Sequence, residues 1–116
     1  MAELVVDGSD LVLKLSTAEK MEGLHGDLRV PRSSVRRVEV LDDAHRAAGI
    51  TKGIKVGTRL PGVIEVGTIL GEGKRFAAVH HDTPRGVRVV LADASFDEWI
   101  VGCADPESVA ASIAPE

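Results

Sequence analysis

A chain of 116 residues with 44% apolar content is expected to fold as one domain, long enough to bury a continuous core without a disulfide or metal to staple it. A formal net charge of −4 argues against a protein whose whole surface binds nucleic acid or an anionic membrane. Phe76, Phe96 and Trp99 are the only aromatic residues, too few for the stacking platforms that single-stranded nucleic acids and sugars need.

The elements read as follows in chain order. Leu4 to Val6 is a short apolar run. The turn tetrapeptide Asp7-Gly8-Ser9-Asp10 follows, and then Leu11, Leu13 and Leu15 alternate with Val12 and Lys14, so residues 3–15 predict a β-hairpin. Ser16 with Glu19 three residues later has the form of a capping box, and residues 17–22 predict one or two helical turns ended by Gly23 and Gly26. Leu28 and Val30 open a second β region that Pro31 interrupts, as suits an edge or a bulge. Val38 and Val40 mark a strand over 35–41. Residues 42–61, with Gly49, Gly53, Gly57 and Pro61, read as an irregular connection containing a helical turn at 43–48.

The second half alternates more cleanly. Ile64, Val66, Thr68 and Leu70 predict a strand, Gly71-Glu72-Gly73 a turn, and Lys74 to His81 the next strand. Asp82 to Gly86 is a turn, and Val87, Val89 and Leu91 form another strand. Phe96 to Cys103 is apolar on both faces, which predicts an interior strand. Asp105 as N-cap, Pro106 at the first helical position and Glu107 in the first turn predict a terminal helix that Pro115 stops. The expected core comprises Leu11, Leu13, Leu15, Val38, Val40, Ile64, Val66, Phe76, Val89, Leu91, Phe96, Ile100 and Val109. About eight short strands and one terminal helix predict a mainly β fold, a sandwich or small barrel.

Three stretches, LKLSTAEKMEGLHGDLRVPRSSVRRVEV (13–40), GTRLPG (57–62) and DEWIVGCADPESVAASI (97–113), together with this element order, resemble the pleckstrin-homology-like (PH-like) superfold. More narrowly, the chain resembles small uncharacterised PH-like proteins of high-GC bacteria. The resemblance implies a bent antiparallel β-barrel of seven strands capped by a C-terminal α-helix, so the expected fold is a PH-like barrel or sandwich of about seven or eight short strands, the count of about eight being itself a departure. The resemblance also implies a non-catalytic binding or scaffolding module, often oligomeric. The chain departs from the pattern at the first hairpin loop, which is clustered Lys and Arg in phosphoinositide-binding members. Here it is the acidic Asp7-Gly8-Ser9-Asp10, so headgroup binding at that site is not carried over.

Candidate chemistry is sparse. His80 and His81 are adjacent, and on a strand they face opposite ways, so the ordinary outcome is one packed and one exposed imidazole rather than a chelate. Cys103, the single cysteine, excludes an intramolecular disulfide and points to a reducing, cytoplasmic compartment. In an apolar strand it reads as a small hydrophobe. No cofactor, metal site or catalytic constellation is expected. The runner-up readings are a homo-oligomeric structural subunit and a small enzyme using His80, His81, Asp82 or Cys103.

The charge map stands out. Residues 44–64 hold Arg46, Lys52, Lys55 and Arg59 and no acid, and residues 28–38 hold Arg29, Arg32, Arg36 and Arg37 and no acid, while the remainder carries all 18 acidic residues. The Gly-rich 44–61 segment, with Arg46, Lys52, Lys55 and Arg59, and with Arg32 and Arg36 nearby, is therefore the expected ligand-binding surface. The expected partner is an acidic protein segment or a small anionic ligand. Nucleic acid and integral membrane contact are not expected, and peripheral contact stays open.

Overall fold

The computed structural model describes residues 2–23, 26–48, 54–60, 64–71 and 73–115. Its elements are β1 (Glu3–Asp7), β2 (Asp10–Lys14), α1 (Thr17–Gly23), β3 (Leu28–Pro31), a 3-10 turn (Arg32–Ser34), β4 (Val35–Leu41), α2 (Ala44–Ala48), β5 (Ile54–Leu60), β6 (Ile64–Gly71), β7 (Gly73–His80), β8 (Gly86–Leu91), β9 (Glu98–Gly102) and α3 (Pro106–Ile113). The protein is mainly β and sandwich-like, with a three-stranded sheet β1-β2-β3 and a six-stranded sheet β4-β8-β9-β7-β6-β5.

Local chemistry explains the first elements. β1 and β2 pair antiparallel across the two-residue loop Gly8-Ser9, and Gly8 takes φ +62°, a value a side chain would disfavour. The capping box forms as the spacing predicts: the Ser16 N–H donates to Glu19 Oε1 at 2.9 Å and the Glu19 N–H to Ser16 Oγ at 3.2 Å. Pro31, with no N–H to offer, ends β3, which among the described residues is an edge strand paired only with β2.

The larger sheet differs from the expected antiparallel meander in two respects. First, β9 lies between β8 and β7 and runs parallel to β7. Asp97 anchors that crossover. Its N–H donates to Lys74 O at 2.7 Å, its carboxylate accepts the Lys74 N–H at 2.8 Å, and its carbonyl accepts the Leu91 N–H at 2.8 Å. Insertion between two strands suits a segment apolar on both faces: Trp99 and Val101 enter one core cluster and Ile100 the other.

Second, the stretch read as irregular over 42–61 contains a strand. β5 pairs with β6 along its whole length. Gly57 and Gly67 face each other across that pair at φ +139° and +150°, and a Cβ on either would strike the opposite backbone. The close approach requires glycine, and glycine is what masked the alternation of Ile54, Val56 and Thr58. Among the described residues the strands therefore number nine rather than about eight.

The main core lies between the two sheets and is closed by Ile113 of α3. A second cluster sits on the far face of the larger sheet, where Ala44 and Ala48 of α2 cover Ile69, Ala77, Val79 and Ile100. Most of the expected core residues are buried. Val40, at 39% exposure on edge strand β4, is not, and Val38, Ile64 and Val109 pack only at the margin. Trp99, absent from the expected core, is 0% exposed. The terminal helix starts as predicted, with the Asp105 carboxylate accepting the Ser108 N–H at 3.2 Å. Removing that cap with Asp105→Ala is expected to cost about 1 kcal/mol, read as a lower urea midpoint at unchanged slope; an unchanged midpoint refutes a stabilising cap.

Candidate functional site

The 3-10 turn after Pro31 brings two of the six expected binding residues together. Arg32 leaves β3 with its backbone N–H donating to Ser9 O at 2.8 Å, and Arg36 follows one turn later at the start of β4. Both line a surface depression of about 810 Å³, with Gly8 and Ser9 of the first hairpin, Ser33, and Pro115 beyond α3. The Arg32 guanidinium donates to Ala114 O at 3.4 Å. Arg36 donates to Ser33 O at 3.2 Å and stands 3.8 Å from the Asp93 carboxylate, whose side chain is 93% exposed. So long and exposed an ion pair holds Arg36 only weakly.

A second depression, of about 730 Å³, lies on the other side of Pro31. β3 forms one wall and the β8–β9 connection the other, with Phe96 and Trp99 among its lining. Phe96 packs edge-to-face on Phe76, ring centroids 5.8 Å apart, and the Lys74 ammonium sits 4.6 Å from the Phe96 centroid. The Trp99 indole N–H has no hydrogen-bond partner among the described residues. Asp93, in the connecting loop, takes φ +56°, a conformation that non-glycine residues other than Asn and Asp seldom adopt.

The remaining expected residues are Arg46, Lys52, Lys55 and Arg59. Arg46 is exposed on α2, its backbone N–H donating to Asp43 Oδ1 at 3.0 Å, and α2 covers the face of the larger sheet turned away from the main core. Lys55 and Arg59 belong to β5, with side chains outside the described residues; Lys52, Gly49, Gly53 and Pro61 also lie outside them. Arg36 and Arg37 belong to β4 and Lys55 and Arg59 to β5, the opposite edges of the six-stranded sheet. Arg29 and Arg37 are committed locally. Arg29 donates to Asp10 and Asp7 at 2.8 Å each across three strands, which holds the Asp7 carboxyl below its ordinary value, and Arg37 donates to Glu39 at 2.9 Å.

A buried polar cluster escaped the sequence reading. Glu19 is 1% exposed, and its carboxylate accepts from the Ala2 and Ser16 N–H groups at 2.9 Å each and contacts His80 Nε2 at 3.0 Å. His45 Nε2 in turn lies 3.1 Å from the His80 carbonyl. The capping-box spacing was the available signal for Glu19, but it does not reveal that the same carboxylate also serves Ala2 and His80. His80 is half-buried and His81 exposed, as adjacency on a strand end implied. Among the described residues no group of three or more His, Cys, Asp or Glu is placed to hold a metal ion. Burial raises the Cys103 thiol to about 11, with Asp105 and Glu107 adding to the effect, so it stays protonated at neutral pH and is a poor nucleophile.

No family model, curated protein or solved structure matches the chain. Among the described residues no helix is long and apolar enough to cross a membrane.

Proposed function

We propose that this chain is a non-catalytic PH-like binding module of a reducing, cytoplasmic compartment that takes an anionic partner at the Arg32–Arg36 depression. The partner is an acidic protein segment or a small anionic ligand. The observation that carries this reading is the convergence of Arg32 and Arg36, from two consecutive elements, on one depression that also holds the exposed backbone turn Gly8-Ser9. An anion there can take up the Arg36 guanidinium in place of the loosely held Asp93. The helix α3 packed over β4, β8 and β1 supports the PH-like assignment. The parallel β7–β9 pair and the ninth strand are departures from that pattern.

Titration with hexaglutamate and with inorganic phosphate at low ionic strength, followed by amide NMR, tests the reading. Shifts are expected at Gly8, Ser9, Ser33 and Arg36. The double variant Arg32→Ser/Arg36→Ser should weaken binding by about tenfold or more, and added salt should weaken it further. Shifts confined to α2 and β5 would move the site to the Arg46–Arg59 surface, and shifts nowhere would remove the reading.

A further inference from the structure

The two depressions share Pro31, and the Asp93–Arg36 pair links them, since Asp93 lines one and Arg36 the other. Together they form a track along the outer edge of β3. The Arg32 N–H bond to Ser9 O sets the phase of the β2–β3 ladder, so residues 28, 30 and 32 direct their backbone groups toward β2. Arg29 then directs its N–H and C=O, and Pro31 its C=O, away from the sheet. Among the described residues no strand pairs with that side of β3. Unpaired backbone groups on an edge are a template for another extended chain, and Pro31 limits the pairing to a few residues.

Charge along the track says what kind of chain fits. Lys74 stands in the first depression over the Phe96 ring, with no carboxylate within 4.0 Å among the described residues, and Arg32 and Arg36 stand in the second. Between them Leu28, Val30, Phe96 and Trp99 supply apolar lining, and the acidic Asp27 and Asp93 also border the first depression; Asp27 is engaged by the Leu15 N–H at 2.8 Å and by Lys20 at 3.6 Å. The fully buried Trp99 N–H, without an acceptor among the described residues, is the kind of group that a structure normally satisfies, and Trp99 borders this lining. We infer that the outer edge of β3 docks an extended peptide by strand addition, its acidic side chains meeting Lys74 at one end and Arg32 and Arg36 at the other, with an apolar side chain between. This inference rests on the anion-binding reading of the Arg32–Arg36 depression and adds to it a binding mode, a second cationic end and a peptide class.

The probe is an acetylated, amidated hexapeptide of alternating Glu and Val, compared with hexaglutamate and with the same Glu–Val peptide N-methylated at alternate residues in each of the two registers. Calorimetry gives affinities and amide NMR gives the site. The Glu–Val peptide should bind about tenfold tighter than hexaglutamate and shift Leu28 to Pro31 and the Trp99 indole N–H. N-methylation in one register should remove about tenfold, the effect expected for two lost backbone hydrogen bonds. Lys74→Ala should weaken the Glu–Val peptide about threefold while leaving phosphate binding unchanged. Asp93→Asn, which tolerates the positive φ and removes the carboxylate competing for Arg36, should strengthen binding about twofold to threefold. Equal affinities for the two peptides, no effect of N-methylation in either register, and shifts confined to Gly8, Ser9 and Arg36 would overturn strand addition and leave the anion site standing. Binding of neither peptide nor phosphate would remove both. A dimer in light scattering whose Arg29 amide is already protected from exchange would show that a second copy occupies the edge, and would also overturn the inference.

Discussion

Replacing Trp99 with alanine is expected to lower the unfolding free energy by about 3–5 kcal/mol, the largest effect of any single side-chain truncation in this chain. Trp99 is 0% exposed, it sits on the central strand β9, and its Cα partners are Phe76 on β7 and Val89 on β8, so its loss opens a void where three strands meet. Trp99→Phe should cost markedly less, because it keeps an aromatic ring and removes an N–H that has no partner among the described residues. Urea denaturation followed by circular dichroism compares the two. A Trp99→Ala loss under about 1.5 kcal/mol, or a Phe variant as unstable as the Ala variant, would show that packing around this indole does not organise the core.

Glu19→Ala is expected to cost about 3 kcal/mol, because it strands two backbone N–H groups and an imidazole that one buried carboxylate serves. The loss should depend on pH. Burial raises the Glu19 carboxyl, but the bonds from Ser16 and His80 outweigh it, and the group titrates below its ordinary 4.5 in the folded protein. A carboxyl depressed by folding contributes stability that is fully present above its unfolded pKa and disappears as pH falls through the folded one. The wild-type protein should therefore lose stability as pH drops below about 4.5, and the variant should lose less over the same interval. Denaturant melts at pH 7, 5, 4 and 3 make the comparison. A constant gap between the two proteins across that range would show that Glu19 contributes no proton-linked stability.

Local patterns in the chain are enough to establish the hairpin at β1–β2, the capping box on α1, the alternating strands β4, β6, β7 and β8, and the capped helix α3, because each depends on residues within a few positions of one another. They also establish that β9 is interior, since a strand apolar on both faces is buried on both. The β5 strand escaped because its glycines, which read as loop residues, are there to let two backbones approach at Gly57 and Gly67, and that approach involves a partner strand. The parallel insertion of β9 and the central place of Trp99 belong to the same class, because sheet order is a property of the assembled chain. Charge followed this rule too. The sequence shows Arg32 and Arg36 in a run without acids, and the structure sets both along one depression. Only the topology could show that β4 and β5 are opposite edges of one sheet, that Arg29 is engaged by Asp7 and Asp10, and that Glu19 and His80, distant in the chain, share one buried contact.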